Sequence, residues 1–172
     1  NFCEIFDTLN AKAAIFAAKE AMRLTGKKVE IMLSATLSDK AGRTLSGQTL
    51  EAFLVSVMHA EMLSIGLNCS FGATDMLPFL RELARIAPCY VSAYPNAGLP
   101  NILGEYDETP HTMASHIQPF LDEQLVNIIG GCCGTSPQHI AAFAPIAKKA
   151  IPRKPAQPNQ TLNLAGLEAL HI

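Results

Sequence analysis

The sequence predicts an α/β fold with a parallel sheet, on three observations. Short β-branched runs alternate with longer apolar stripes of helical spacing, and that β/α order places helices outside parallel strands. Hydrophobic residues make up 49% and charged residues 16% of the 172 positions, enough apolar mass for one packed domain. The residues with the most chemistry, three of the five Cys, follow the ends of two of those strands.

The elements follow in order. Ala11, Ala14, Ile15, Ala18 and Met22 recur at helical spacing after Asp7-Thr8, and Gly26 supplies the stop. Lys28 to Ser34 reads as a strand with Val29, Ile31 and Leu33 on one face. Leu50, Phe53, Leu54, Val57 and Met58 make a second helical stripe. Leu63 to Asn68 is the next strand, and Met76, Phe79, Leu80, Leu83 and Ala84 the next helix. Cys89 to Tyr94 is a strand. Thr109-Pro110 sets a capping residue before a first-turn proline, and Met113, Ile117, Phe120 and Leu121 carry that helix, which Pro119 should bend. Leu125 to Ile129 is the last strand, and Ser136-Pro137 opens the last helix through Ile140, Phe143, Ala144 and Ala147.

Two parallel architectures compete for this pattern. A doubly wound nucleotide fold needs a glycine-rich turn after its first strand, and Phe6-Asp7-Thr8-Leu9 has none. No Gly-x-x-x-x-Gly-Lys loop is present either. A full (β/α)8 TIM barrel usually needs about 250 residues. Four clear strands and a remnant at Phe2 to Phe6 therefore read as the C-terminal half of a barrel. Residues 1–150 form that half. Residues 151–172 form a Pro-rich linker, with Pro152, Pro155 and Pro158, and a short apolar stretch from Leu162, expected to lead to another module.

Charge and composition narrow the function. Thirteen Lys and Arg against 15 Asp and Glu give a net charge of −2, so nothing points to nucleic acid or an anionic membrane surface. No apolar run reaches the roughly 18 residues of a membrane span, and no secretory leader is seen. The chain starts Asn-Phe-Cys and reads as one entered part-way through. Five Cys is an odd count for a disulfide scaffold, so a reduced, cytoplasmic setting is expected.

Cys69 follows the strand Leu63 to Asn68, and Cys132-Cys133 follow Leu125 to Ile129 after Gly130-Gly131. In a parallel barrel all strands end on the face that carries the active site. These two strands should be next-but-one neighbours, with axes roughly 10 Å apart, a gap that inward side chains close onto one ion. Adjacent residues of a regular strand face opposite ways, so Gly130, Gly131 and Gly134 are expected to supply the backbone freedom that turns both thiolates inward. Three thiolates and an open fourth position describe a catalytic zinc site, suited to a substrate thiol and to alkyl or methyl transfer. The start of the last helix should add a positive dipole end. Spacing leaves other readings open: a free Cys is equally at home as core filler, and an adjacent pair can close a strained disulfide.

The remaining candidates read as structural. Cys89 starts its strand, at the opposite face, and reads as packing; Cys3 has no neighbouring motif. His59, His111 and His116 fall on helix surfaces, His139 in a first helical turn as cap or packing, and His171 in the tail.

Gly66-Leu67-Asn68-Cys69 and Gly130-Gly131-Cys132-Cys133-Gly134-Thr135 resemble the two zinc-binding motifs of homocysteine S-methyltransferases. Ile5-Phe6-Asp7-Thr8-Leu9-Asn10-Ala11-Lys12, Gly42-Arg43-Thr44-Leu45-Ser46-Gly47-Gln48 and Pro95-Asn96-Ala97-Gly98-Leu99-Pro100-Asn101 resemble the homocysteine-binding module of the cobalamin-dependent methionine synthases. Leu164-Ala165-Gly166-Leu167-Glu168 is similar to their lead-in to a folate-binding barrel. The resemblance implies that Cys69, Cys132 and Cys133 hold zinc, and that homocysteine sulfur takes a methyl group from methylcobalamin to give methionine. Cobalamin and methyltetrahydrofolate would be bound by modules absent from this chain. The family pattern has an acidic residue about where Cys3 stands, and its first four strands would precede residue 1. A half-barrel leaves two sheet edges open, so the chain alone is expected to be inactive or to fold only by pairing. Two alternatives keep the zinc: a cobalamin-independent enzyme using betaine or S-methylmethionine, and a non-catalytic zinc-binding fragment.

Overall fold

The computed structural model describes residues 7–158 and 161–172; Cys3, the remnant strand Phe2 to Phe6 and the start of the Ile5 motif lie outside the described residues. Helix α1 (Thr8–Thr25) starts where the Asp7 carboxylate accepts the Asn10 amide at 2.8 Å. It stops at Gly26, whose φ of 69° lets its amide reach back to Met22. Strand β1 (Met32–Ala35), helix α2 (Leu50–Val57), strand β2 (Ser64–Gly72) and helix α3 (Ala73–Ile86) follow. Strand β3 (Tyr90–Asn96), helix α4 (Pro110–Asp122), strand β4 (Ile128–Ile129) and helix α5 (Pro137–Ala147) complete the repeat.

The strands form one parallel sheet in the order β1-β2-β3-β4. With helices between successive strands, this is the arrangement of part of a (β/α) barrel. Among the described residues the sheet ends at β1 and β4. Ile65 and Leu67 of β2 and Val91 and Ala93 of β3 are fully buried, as are Leu54, Leu80, Leu83 and Ile117 on the helices. The apolar stripes read from the sequence thus form one core.

Strands β1 and β4 are shorter than expected, while β2 runs on past Asn68 to Gly72, so Cys69 lies within it rather than after it. Pairing with β2 begins only where Leu63 N–H donates to Ile31 O, so β1 starts at Met32 rather than Lys28, and Val29 is 58% exposed. The phase is kept, with Ala35 and Leu37 buried two and four residues beyond Leu33. Strand β4 is two residues long because Asn127 takes over part of the ladder. Its side-chain oxygen accepts Val91 N–H at 3.0 Å and its amide donates to Arg153 O at 2.7 Å. Helix α4 continues through Pro119 to Asp122. His59 lies just past the end of α2 instead of on it.

The Pro-rich segment is anchored at Arg153, and Ala156 N–H adds a bond to Ala87 O at 3.0 Å. Arg153 is 4% exposed, and its guanidinium donates to Ala84 O at 2.8 Å, to Cys89 O at 2.9 Å and to Ala87 O. These carbonyls surround the C-terminal end of α3, where a cation also meets the negative end of the helix. Strands β5 (Asn163–Ala165) and β6 (Ala169–His171) then form a hairpin against α2. Thr49 N–H donates to Leu167 O at 2.9 Å, and Arg43 pairs with Glu168 at 2.5 Å.

Candidate metal centre

Cys69 reaches the site through a break in β2. Between Asn68 and Gly72 this strand takes four steps where β3 takes two, Tyr94 to Asn96. The surplus is absorbed at Cys69 and Ser70, both with φ of 61°. A left-handed backbone at a non-glycine residue costs roughly 1–2 kcal/mol and is held only where the surroundings fix it. Here the Ser70 hydroxyl donates to Leu37 O.

Cys132 and Cys133 are held by β3 beyond the end of β4. Gly130 N–H donates to Ala93 O at 3.0 Å, Cys132 N–H to Pro95 O at 2.8 Å, and Ala97 N–H to Cys133 O at 2.9 Å. Asn96, 3% exposed, accepts Cys133 N–H at 3.1 Å through its side chain. The glycines serve differently than expected. Only Gly134 has a positive φ, 76°. Gly130 and Gly131 are needed for space: a Cβ would stand 2.8 Å from the Tyr94 ring and 2.3 Å from the Thr135 hydroxyl, respectively.

The three sulfurs converge. Cys69 Sγ is 3.5 Å from Cys133 Sγ, Cys133 Sγ is 4.0 Å from Cys132 Sγ, and all three lie within 4.8 Å of one another. Zinc–sulfur bonds of about 2.3 Å at tetrahedral angles set sulfurs about 3.8 Å apart, so the donor set fits such an ion. Cys69 and Cys132 are half-buried and Cys133 is exposed, so the cluster opens to solvent on one side.

The electrostatics divide the thiols. Burial pushes Cys132 up to about 12, helped by the neighbouring Cys69 and Cys133 sulfurs. Burial acts the same way on Cys69, but the Ser70 amide, the Cys133 and Cys132 thiols and the Asn96 side chain outweigh it and lower this thiol below its ordinary value. Cys69 is therefore ionised more readily than Cys132. At the start of α5 three amide donors are already engaged. Ser136 N–H goes to His139 Nδ1 at 3.1 Å, while His139 N–H and Ile140 N–H go to Ser136 O.

The description homocysteine S-methyltransferase matches residues 2–147. The chain belongs to the homocysteine S-methyltransferase family. That membership makes homocysteine the substrate class and methyl transfer the reaction class. The solvent-open, three-thiol cluster is suited to both, because a substrate sulfur can join sulfurs already gathered at one point.

The other candidates stay apart from the cluster. Cys89 is half-buried against the core, and burial raises its thiol. His111 is exposed, and His116 is exposed but pairs with Glu108 at 2.6 Å. His139 is a cap: its Nδ1 accepts Ser136 N–H, so its Nε2 carries the proton donated to Glu108 O at 2.8 Å. His171 bonds Asn163 and Glu51 on the hairpin side of α2. No described helix is long and apolar enough to cross a membrane.

Sequence reasoning missed three residues of the site. Asn96 was present in the Pro95-Asn96-Ala97-Gly98 stretch, but only β3's register shows its amide under Cys133. Ser70 carries the unusual backbone. Tyr106, in the loop before α4, packs its ring on Gly134 beside Cys133, and no periodicity marks it.

Proposed function

We propose that this chain carries the homocysteine-activating centre of a cobalamin-dependent methionine synthase, with Cys69, Cys132 and Cys133 as zinc ligands. The observation that supports it is the gathering of three thiols within 4.8 Å in a chain of the homocysteine S-methyltransferase family. Zinc, when bound, supplies the positive charge that holds a homocysteine thiol as thiolate at neutral pH. The protein's part is to keep three sulfurs in place and leave one side open. Asn96 and the β3 backbone hold the Cys132-Cys133 segment, and the bulge in β2 turns Cys69 toward it. Methylcobalamin, held by another module, would supply the methyl group, the homocysteine thiolate taking it as the S–C bond forms and the cobalt–carbon pair staying with the departing cobalamin, to give methionine.

Methylcobalamin is favoured over betaine and S-methylmethionine by the stretches around Asp7, Gly42 and Pro95, and by the segment after Ile151. In this reading residues 1–150 are the second half of the barrel, and residues 151–172 lead to folate- and cobalamin-binding modules. The reducing cytoplasm is the setting in which such thiols stay available.

The test is a titration of the zinc-loaded chain with homocysteine, following proton release. Homocysteine-dependent release supports the reading, and a loaded centre indifferent to homocysteine would assign a non-catalytic zinc site. Offering methylcobalamin, betaine and S-methylmethionine separately identifies the donor. Any methionine formed is expected from methylcobalamin alone, and steady-state turnover by a purified monomer would contradict the half-barrel reading.

A further inference from the structure

Residues 42–48 lie in the loop from β1 to α2, which leaves the sheet at the strand ends where Cys69 stands. The loop supplies no ligand to the thiol cluster, yet one of its residues is bonded to three other elements. Gln48 is 9% exposed, and its side-chain oxygen accepts the Thr8 hydroxyl of α1. Its side-chain amide donates to Ser56 Oγ of α2 at 3.2 Å and to Gly166 O, between β5 and β6, at 2.7 Å. The hairpin grips the same loop at Thr49, through Leu167 O at 2.9 Å, and at Arg43, through Glu168 at 2.5 Å.

From Gln48 the bonds run toward Cys69. Thr44 N–H donates to Gln48 O at 2.9 Å, and Gln48 N–H to Thr44 Oγ1 at 3.2 Å. Thr44 pairs with Leu37 in an antiparallel bridge, and Ser38 N–H donates to Arg43 O at 2.7 Å. Leu37 is 2% exposed, and its carbonyl accepts the Ser70 hydroxyl. Ser70 and Cys69 share the left-handed backbone, φ 61° at each, that turns Cys69 into the cluster. Such a backbone persists only where its surroundings fix it, and here those surroundings lead back to Gln48.

We propose that Gln48 is a positioning residue for the metal centre: held by the β5-β6 hairpin at Gly166 O, it fixes the loop that fixes Ser70 and so sets Cys69. The inference rests on the reading of Cys69, Cys132 and Cys133 as metal ligands. A buried polar network whose members are all satisfied rigidifies what it joins. Cys132 and Cys133 are held separately, by the β3 backbone and Asn96. Loosening Gln48 therefore acts on one ligand of the three. The hairpin thus belongs to the site's support as well as to the segment after Ile151.

Two measurements on the full chain test this. Gln48→Met keeps the volume and removes the side-chain bonds. In the metal-free variant, amide hydrogen exchange over residues 68–72 is expected to be about tenfold faster, with residues 130–134 unchanged. Cobalt(II) affinity, read from the thiolate-to-cobalt charge-transfer band, is expected to fall about tenfold. Ser70→Ala cuts the link to Leu37, so adding Gln48→Met to it is expected to lower cobalt affinity no further, whereas a merely structural loss would add. Glu168→Ala, at an exposed position, is expected to move exchange and affinity the same way by about threefold, and decides the matter where Gln48→Met fails to fold. Unchanged exchange over residues 68–72, or additive losses in the double variant, overturns the role of Gln48. Absence of the band in the parent overturns the metal reading, and the exchange measurement still decides whether Gln48 holds Cys69.

Discussion

Cys69 Sγ lies 3.5 Å from Cys133 Sγ although 64 positions separate the two residues in the chain. The contact depends on β3 standing between their strands, on the bulge at Cys69 and on the β3 bonds to Cys132 and Ala97. Replacing any one of Cys69, Cys132 or Cys133 with Ser takes a soft donor from a set that is complete only as three. Each variant is expected to keep the parent's circular dichroism, with zinc falling from about one per chain to less than about a tenth after dialysis. Elemental analysis checks it.

Ser70 separates two contributions to the bulge. Ser70→Ala keeps the φ of 61° and loses the bond to Leu37 O, which should cost about 1 kcal/mol. Ser70→Gly loses the same bond but relieves a left-handed backbone, so it should come out near neutral. Urea unfolding of both variants measures the difference. Equal destabilisation would show that the backbone at Ser70 is unstrained.

Much of this was legible in the sequence. The five helices, their caps at Asp7, Thr109 and Ser136 and the next-but-one placement of the Cys-bearing strands follow from apolar spacing and β/α order. What was not legible depends on neighbours distant in sequence. The length of β1 is set by where β2 begins to pair, and the shortness of β4 by the Asn127 side chain. The glycine-flanked Cys pair invited an argument from backbone freedom. Yet Gly130 and Gly131 are required by Tyr94 and Thr135 beside them, while the unusual backbone sits at Cys69 and Ser70. Nothing local in Asn68-Cys69-Ser70 signals a bulge.

Arg153 should matter to the whole fold despite its place in a Pro-rich segment. Arg153→Ala takes the guanidinium donor from the carbonyls of Ala84, Ala87 and Cys89 in a buried setting, and of these Ala87 O keeps the Ala156 N–H. A loss of about 3 kcal/mol or more is expected, with only partial recovery by Arg153→Lys, whose ammonium cannot match the planar fork. Chemical denaturation of the two variants checks it.

Glu82 gives the stability a pH dependence. Burial first, and then the Glu51 carboxylate, raise its carboxyl above the ordinary value of 4.5, with Arg85 opposing. The folded chain therefore holds this proton more tightly than the unfolded one, and its contribution is lost as pH rises from 4.5 through the raised value. Glu82→Gln is expected to be more stable than the parent at about pH 7, by less than about 1 kcal/mol because the group is partly solvated. The gain should vanish below about pH 4. Thermal melts at the two pH values decide it.

The central claim is that three cysteines hold one metal ion and leave room for a substrate sulfur. X-ray absorption at the zinc edge, on the zinc-loaded chain with and without homocysteine, measures this directly. The account predicts three sulfurs at about 2.3 Å that become four when homocysteine is added. A sulfur count below three in the loaded chain, or one that homocysteine leaves unchanged, would contradict it.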